Sequence, residues 1–263
     1  MKLFTIFGDP VSHSRSPLMH NHVFKTLGID ACYTRTPLSD GSKLREVFFA
    51  KALCGANVTV PHKEAAYEQC DEVRGIASVV GAVNTLVLEE GRLIGYNTDA
   101  EGFVRAIESF GPLRSALILG AGGTARALAV ALRAKGMEVA VLNRSAGRLE
   151  HFRNEGFDSY TWDDFSPSPY DMLINTTSAG LCDNELPIPS GVLDQLLERT
   201  QAAVDVIYGK ETPFLREVKG RALPYKDGSD MLLQQGVLAN HLFLRCKYAP
   251  GEIEPAMRQS FLY

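Results

Sequence analysis

Short apolar runs bounded by Gly, Pro, Asn or Asp alternate along this chain with stretches whose apolar positions recur at helical spacing. Leu3–Phe7 reads as a strand that stops at Gly8-Asp9-Pro10. Leu18–Leu27 reads as a helix ended by Gly28, with Ser16 as its N-cap and Pro17 at the first helical position. Cys32–Thr36 is a second strand, and Ser42–Leu53 a helix closed by Gly55. Next, Asn57, Thr59 and Pro61 alternate with Val58 and Val60, giving a strand with one polar and one apolar face. Glu89, Glu90 and Gly91 make a hairpin turn between Leu86–Leu88 and Arg92–Tyr96. An apolar helix carrying Phe103, Ile107 and Phe110 follows Asn97-Thr98-Asp99, and Gly111-Pro112 marks the passage into a second unit.

In that second unit Ala116–Leu119 reads as a fully buried strand, Gly120, Gly122 and Gly123 as a tight turn, and Ala125–Leu132 as a helix that stops at Gly136. Glu138–Leu142 is the next strand, completing a strand–helix–strand unit. Further strands are expected at Asp171–Asn175, Ala202–Ile207 and Leu223–Tyr225. A long helix over Met231–Cys246 begins after Gly228, and Glu252–Phe261 forms a last one. The alternation of strands and helices makes this an α/β protein.

The turn at Gly120 is a G-x-G-x-x-A fingerprint in its required setting, strand before and helix after. Without Cβ atoms, backbone N–H groups can approach a pyrophosphate, and the helix N-terminus adds positive potential. Where NAD-binding folds place an acidic residue against the ribose 2′-hydroxyl, this chain has Asn143-Arg144-Ser145 and then Arg148. Asn does not repel a 2′-phosphate and two arginines pair with one, so NADP is preferred over NAD. A solvated helix face would explain Arg148 alone; it does not explain Arg144 at the strand end.

At 263 residues the chain allows one large or two small domains, and 45% apolar with 22% charged residues is ordinary for a globular protein with a full core. A net charge of −4 argues against nucleic acid or an anionic membrane as partner. The five scattered cysteines lack CxxC spacing and point to a reducing cytoplasm. The apolar run Met1–Phe7 is too short for a signal-peptide core, no stretch approaches a membrane span, and the six histidines lack metal-ligand spacing. Candidate chemistry therefore rests on polar side chains at element ends. Ser14 and Ser16 sit where a strand end meets a helix start, a place for a small anion, although Ser16 also serves as a cap. Lys63 stands at a helix head, where the helix dipole opposes it, a local conflict that suggests function. Asp99 and Thr98 each serve equally well as the cap of the helix they open.

Taken in order, these motifs resemble the shikimate dehydrogenase family. They are Gly8-Asp9-Pro10 with Ser14–Pro17, Asn57–Lys63, Gly81–Thr85, Gly95–Asp99, Gly120–Arg126, Asn143–Ser145, Asn175–Gly180, Asp205–Tyr208 with Thr212-Pro213, and Gly228 with Met231–Gln235. The resemblance implies two α/β domains with a cleft between them: a substrate-binding and catalytic domain at 1–102, completed by C-terminal helices at 235–263, and a Rossmann-type NADP domain at 103–234. It implies reversible reduction of 3-dehydroshikimate to shikimate with NADPH, Lys63 and Asp99 being the catalytic pair. Ser14 and Ser16 would hold the substrate carboxylate and Tyr208 would close near it. Asn57, Thr59, Asn84 and Gln235 would contact the ring hydroxyls or support groups that do. Gly120, Ala121, Gly122, Gly123, Thr124, Asn143, Arg144, Ser145, Arg148, Thr176, Ser178, Val206 and Gly228 would bind NADP(H). The expected partner is a small molecule, not nucleic acid or membrane, with the chain a cytoplasmic monomer or homodimer and no metal.

Those residue types suit the chemistry. Reducing a ketone needs a hydride and a proton at the oxygen, which Lys63 can donate while Asp99 orients its ammonium. A polyol acid also needs many short donors and acceptors. The alternatives are a quinate/shikimate dehydrogenase using NAD, a reductase of an amino-shikimate or folate intermediate, and a non-catalytic NADP sensor, which would have no need of both Lys63 and Asp99. Two departures stand out. Many relatives carry an aromatic pair ending in Trp where this chain reads Asn240–Arg245, its one tryptophan being Trp162; Thr124 stands where relatives often have Ala.

Overall fold

The computed structural model describes residues 1–263 and divides into two units, Met1–Gly102 with Leu233–Tyr263, and Phe103–Leu232. The first contains β1 (Lys2–Gly8), α1 (Ser16–Thr26), β2 (Ala31–Pro37), α2 (Leu44–Ala50), β3 (Gly55–Val58), α3 (Lys63–Glu68), β4 (Glu72–Val73), α4 (Ala77–Val80), β5 (Thr85–Glu89) and β6 (Arg92–Tyr96). The boundary then falls inside α5 (Thr98–Ile107). The second contains β7 (Ser115–Leu119), α6 (Gly123–Ala134), β8 (Glu138–Asn143), α7 (Glu150–Asn154), β9 (Asp158–Thr161), β10 (Met172–Asn175), α8 (Ser190–Leu197), β11 (Ala202–Asp205), α9 (Pro213–Gly220) and β12 (Tyr225–Lys226). The chain returns to the first unit within α10 (Gly228–Phe243) and ends with α11 (Pro250–Gln259).

The first sheet has the order β2-β1-β3-β5-β6-β4, with β5 antiparallel to both its neighbours. Period-two alternation sorts its side chains into two cores. Phe7, Ala56, Val58 and Leu86 pack with Leu44, Phe48 and Ala66 on one side. Phe4, Ile6 and Val87 pack with Phe24, Ala239 and Phe243 on the other. Both faces being covered explains why Leu3–Phe7 is apolar at every position but Thr5, whose buried hydroxyl bonds Thr34 O and Thr36 Oγ1. Phe243 lies 4.9 Å from Phe4, so an aromatic still fills the core where Asn240–Arg245 departs from many relatives.

The second sheet is wholly parallel, order β12-β11-β10-β7-β8-β9. Strand order reverses between β7 and β10, which opens a crevice at their carboxyl ends, beside Gly120 and Thr176. Leu117, Leu119, Leu142, Leu173 and Ala203 form a core with Leu193, Leu196, Phe214 and Val218 of α8 and α9. The edge strand β9 and helices α7, α8 and α9 have no counterpart in the apolar pattern. Strand β9 is only half-buried apart from Asp158, which is exposed, and so lacks the run of buried apolar residues that marks β7. Helix α10 starts at Gly228 itself and ends at Phe243, short of the expected Cys246, because Arg245 and Cys246 take positive φ.

Asp205, fully buried at the end of β11, accepts from Asn175 Nδ2 at 3.1 Å, the Ile207 N–H at 3.0 Å and the Thr212 hydroxyl at 2.6 Å. Burial pushes its carboxyl above the ordinary 3.8, against the pull of those hydrogen bonds. The folded state therefore binds the proton more tightly than the unfolded state, and this contribution to stability declines as pH rises from 3.8 through the raised value. Asp205→Asn should accordingly gain stability relative to the parent over that window and hold a constant difference above it. Urea midpoints across pH test this; a pH-independent difference would refute the raised carboxyl.

Candidate active site and nucleotide site

In the first unit the polar face of β3 and the ends of β5 and β6 converge on the head of α5. Asn97, and neither Thr98 nor Asp99, caps that helix: its Oδ1 accepts from the N–H groups of Asp99 (3.1 Å) and Ala100 (3.3 Å), and its Nδ2 donates to Ala82 O. Asp99 is thereby free in the first turn, where its Oδ2 meets Lys63 Nζ at 2.6 Å. Lys63 is fixed from its own side. The His62 N–H donates to Thr59 O, the His62 ring bonds Leu38 O, and the Val83 N–H donates to Lys63 O. The two side chains remain 27% and 16% exposed, so the pair is shielded yet reachable.

Behind this pair lies a buried hydrogen-bonded knot. Asn84 Oδ1 accepts from the Thr98 N–H at 2.7 Å and from the Thr85 hydroxyl, and Asn84 Nδ2 donates to Thr98 Oγ1. Asn57 Nδ2 donates to Thr85 Oγ1 and Asn84 O, while Asn57 Oδ1 accepts from the Tyr33 hydroxyl at 2.7 Å. Both amides are thus engaged by the protein itself, as supports rather than free arms. Tyr33 stacks on His20 at 4.3 Å, and burial pushes that imidazole down to about 3, so it is neutral. Asn240 Nδ2 donates to its Nδ1. Burial also pushes the Tyr33 phenol up, against hydrogen bonding with the Ser16 side chain and the Asn57 backbone. Tyr33, Thr85, Asn97 and Asn240 were not legible as site residues, since a single tyrosine in a strand, an Asn or Thr at an element end, or an Asn within a helix carries no signal of its own.

Ser14 and Ser16 come together at the head of α1, both buried. Ser14 Oγ accepts from the Ser16 N–H and donates to Ser16 Oγ at 3.2 Å. Ser14 therefore does the capping expected of Ser16, whose own side chain caps nothing; Arg15 occupies the N-cap position. Arg35 anchors the turn through two bonds to Ser14 O. Thr59 continues the β3 face, half-buried. Gln235 is buried on α10, whose backbone comes so close to α5 that a Cβ on Gly102 would lie 2.6 Å from Gln235 N.

In the second unit a cavity of ≈330 Å³ opens at the crevice between β7 and β10. Gly120, Ala121, Gly122, Asn143, Arg144, Arg148, Thr176 and Ser178 line it. Gly120 has φ +102°, and a Cβ there would sit 2.9 Å from Thr176 Oγ1, so glycine is required. Over Gly122 and Gly123 nothing lies within 4 Å, and no side chain caps α6. Open N–H groups at a helix head and two exposed arginines with no acidic partner fit a phosphate-bearing ligand such as NADP. Gly123, Thr124, Ser145, Val206 and Gly228 do not line the cavity. Ser145 accepts from Asn143 Nδ2, which shapes the loop that bears Arg144. Gly228 is packed so tightly on Val206 that a Cβ would strike its carbonyl. Tyr208 lies beyond the end of β11, 36% exposed. Trp162, Leu142, Leu186 and Pro187 are lining residues that the fingerprint did not reveal.

A sequence profile described as the shikimate dehydrogenase substrate binding domain matches residues 6–86. An NADP(+)-dependent shikimate dehydrogenase of Helicobacter hepaticus is 44% identical over 98% of this chain and 97% of its own length. The chain belongs to the shikimate dehydrogenase family. The corresponding protein of Thermus thermophilus is 40% identical over 99% of both chains. The crystal structure of the Thermus shikimate 5-dehydrogenase in complex with NADP(H) and shikimate superposes with a TM-score of 0.86, covering 99% of this chain and 100% of that one, at 39% identity. No helix here is long and apolar enough to cross a membrane.

The knot behind Lys63 and Asp99 makes a measurable demand. Asn84→Ala strands the Thr98 N–H and should cost about 1–3 kcal/mol, the penalty of an unsatisfied buried donor. Urea unfolding reads this directly. A variant as stable as the parent would show that Asn84 does not hold α5.

Proposed function

We infer that this chain is an NADP-dependent oxidoreductase that reduces 3-dehydroshikimate to shikimate, reversibly. The observation that carries the reading is the 2.6 Å Lys63–Asp99 pair, shielded but not sealed, in a member of this family. We assign proton transfer to Lys63. Its ammonium donates to the ketone oxygen as negative charge develops there and stabilises that charge; in the reverse direction it recovers the proton from the hydroxyl. Asp99, fixed by the Asn97 cap, orients the ammonium and accepts from an adjacent substrate hydroxyl. The chemistry that the cofactor contributes when bound is the hydride.

Ser14 and Ser16 offer two hydroxyls from one turn to the substrate carboxylate. Thr59 and Gln235 are assigned to the ring hydroxyls, and Asn57 and Asn84 to supporting them, as their saturated amides suggest. Tyr208 is assigned to the carboxylate. Gly120–Thr124 take the pyrophosphate, Asn143, Arg144, Ser145 and Arg148 the 2′-phosphate, and Thr176 and Ser178, with Val206 and Gly228 behind them, the remainder of NADP(H). Residues 1–102 with 235–263 make the substrate domain in this reading, and residues 103–234 the NADP domain. Five free thiols accord with a cytoplasmic protein, which acts as a monomer or homodimer.

The deciding experiment crosses shikimate and quinate with NADP and NAD, following nicotinamide absorbance. Turnover confined to shikimate with NADP is the expected outcome; comparable rates with quinate or NAD would overturn the specificity, and no turnover would overturn the activity. Lys63→Ala should lower kcat by roughly 10²–10⁴-fold, the usual worth of a positioned general acid, with NADPH affinity retained. Arg144→Ala should raise the KM for NADPH about tenfold or more, as for a lost charge-assisted bond, and leave NADH nearly untouched. Equal effects on both cofactors would remove Arg144 from the 2′-phosphate.

A further inference from the structure

Trp162 is the chain's one tryptophan, and its position is set by topology. Strand β9 pairs with β8 so that Thr161 stands opposite Asn143, which brings the next residue of each strand, Trp162 and Arg144, to the same rim of the cavity. The turn is pinned: Asp164 accepts from both the N–H and the hydroxyl of Thr161, and the latter bond holds its carboxyl below the ordinary range. The indole is half-buried, its inner side packed on the β-sheet core and its remainder lining the cavity with Leu142, Leu186 and Pro187.

The order of strands assigns each part of a dinucleotide a place along this cavity. Thr176 follows β10, Gly120 follows β7, Arg144 follows β8 and Trp162 follows β9, in spatial sequence β10-β7-β8-β9. With the pyrophosphate over Gly120–Gly122 and the 2′-phosphate on Arg144, the adenine carried by that same ribose reaches the apolar rim beyond β8, and the nicotinamide half runs toward β10. We propose that Trp162 is a cofactor-binding residue that packs its indole against the adenine ring. An indole offers a wide polarisable face to a purine and needs no hydrogen-bond readout, so it adds affinity without regard to the redox state of the far end. This rests on the assignment of the cavity to NADP.

A tryptophan-selective fluorescence titration of the full chain tests it, beside calorimetry of the same samples. Adenosine 2′,5′-bisphosphate should change the emission as NADP does, and nicotinamide mononucleotide should leave it unchanged. Trp162→Ala should weaken adenosine 2′,5′-bisphosphate about tenfold, in the range for one lost base–aromatic stack. Trp162→Phe should stay within about threefold of the parent, since a smaller aromatic face remains. Heat of binding without any emission change, or Trp162→Phe as weak as Trp162→Ala, would overturn the packing. An emission change from nicotinamide mononucleotide would reverse the orientation and overturn it too. No heat from NADP or from the bisphosphate would instead overturn the cavity's assignment, and with it this proposal.

Discussion

The first unit depends on one carbonyl oxygen, that of the Asn84 side chain. It accepts from the first N–H of α5, and the same amide is reached by Thr85 and, through Thr85, by Asn57. An isolated amide buried this deeply would be unfavourable; the bonds that Asn84 makes to Thr98 and Thr85 turn the same burial into geometric specification. Because α5 is tied at its head and capped by Asn97, the carboxylate of Asp99 has one place to be. Lys63, held by its own backbone bond from Val83, comes to meet it. The ion pair is thus the visible end of a polar assembly that reaches back through Tyr33 to a neutral His20 and Asn240.

The second unit meets its ligand by opposite means. Backbone replaces side chains at the turn that opens α6, where nothing lies within 4 Å over Gly122 and Gly123. Two exposed arginines, Arg144 at the end of β8 and Arg148 in the turn after it, supply the positive charge, while Asp183 and Glu185 line the same cavity. Exposure suits phosphate capture, because a solvated guanidinium attracts the anion at a distance, and the electrostatic gain is screened by salt instead of being stored in the fold.

Sequence pattern revealed the two kinds of construction unequally. The fingerprint at Gly120–Ala125 was legible because glycine spacing, strand and helix lie next to one another in the chain. Lys63 was legible as a conflict with its helix dipole, and Asp99 through resemblance. The knot between them was legible only in part: Asn57 and Asn84 came through the same resemblance, whereas Tyr33, Thr85 and Asn97 lie on separate elements and carry no signal of their own. Trp162 was missed for a related reason. Its strand is a short half-buried edge that carries no run of buried apolar residues, and its partnership with Arg144 exists only through sheet pairing. Ser14 and Ser16 exchanged the capping role because a hydroxyl two residues upstream reached the open N–H first.

The return of α10 and α11 to the first unit has a consequence for how the chain is made. Residues 103–232 are contiguous and hold a complete parallel sheet, so they can fold as soon as they are synthesised. Residues 1–102 emerge earlier but expose Phe4, Ile6 and Phe24 until Ala239, Phe243 and Leu244 arrive to cover them. The half of the protein that leaves the ribosome first is therefore the last to be sealed, and in that interval its sticky apolar face is what a chaperone would have reason to hold.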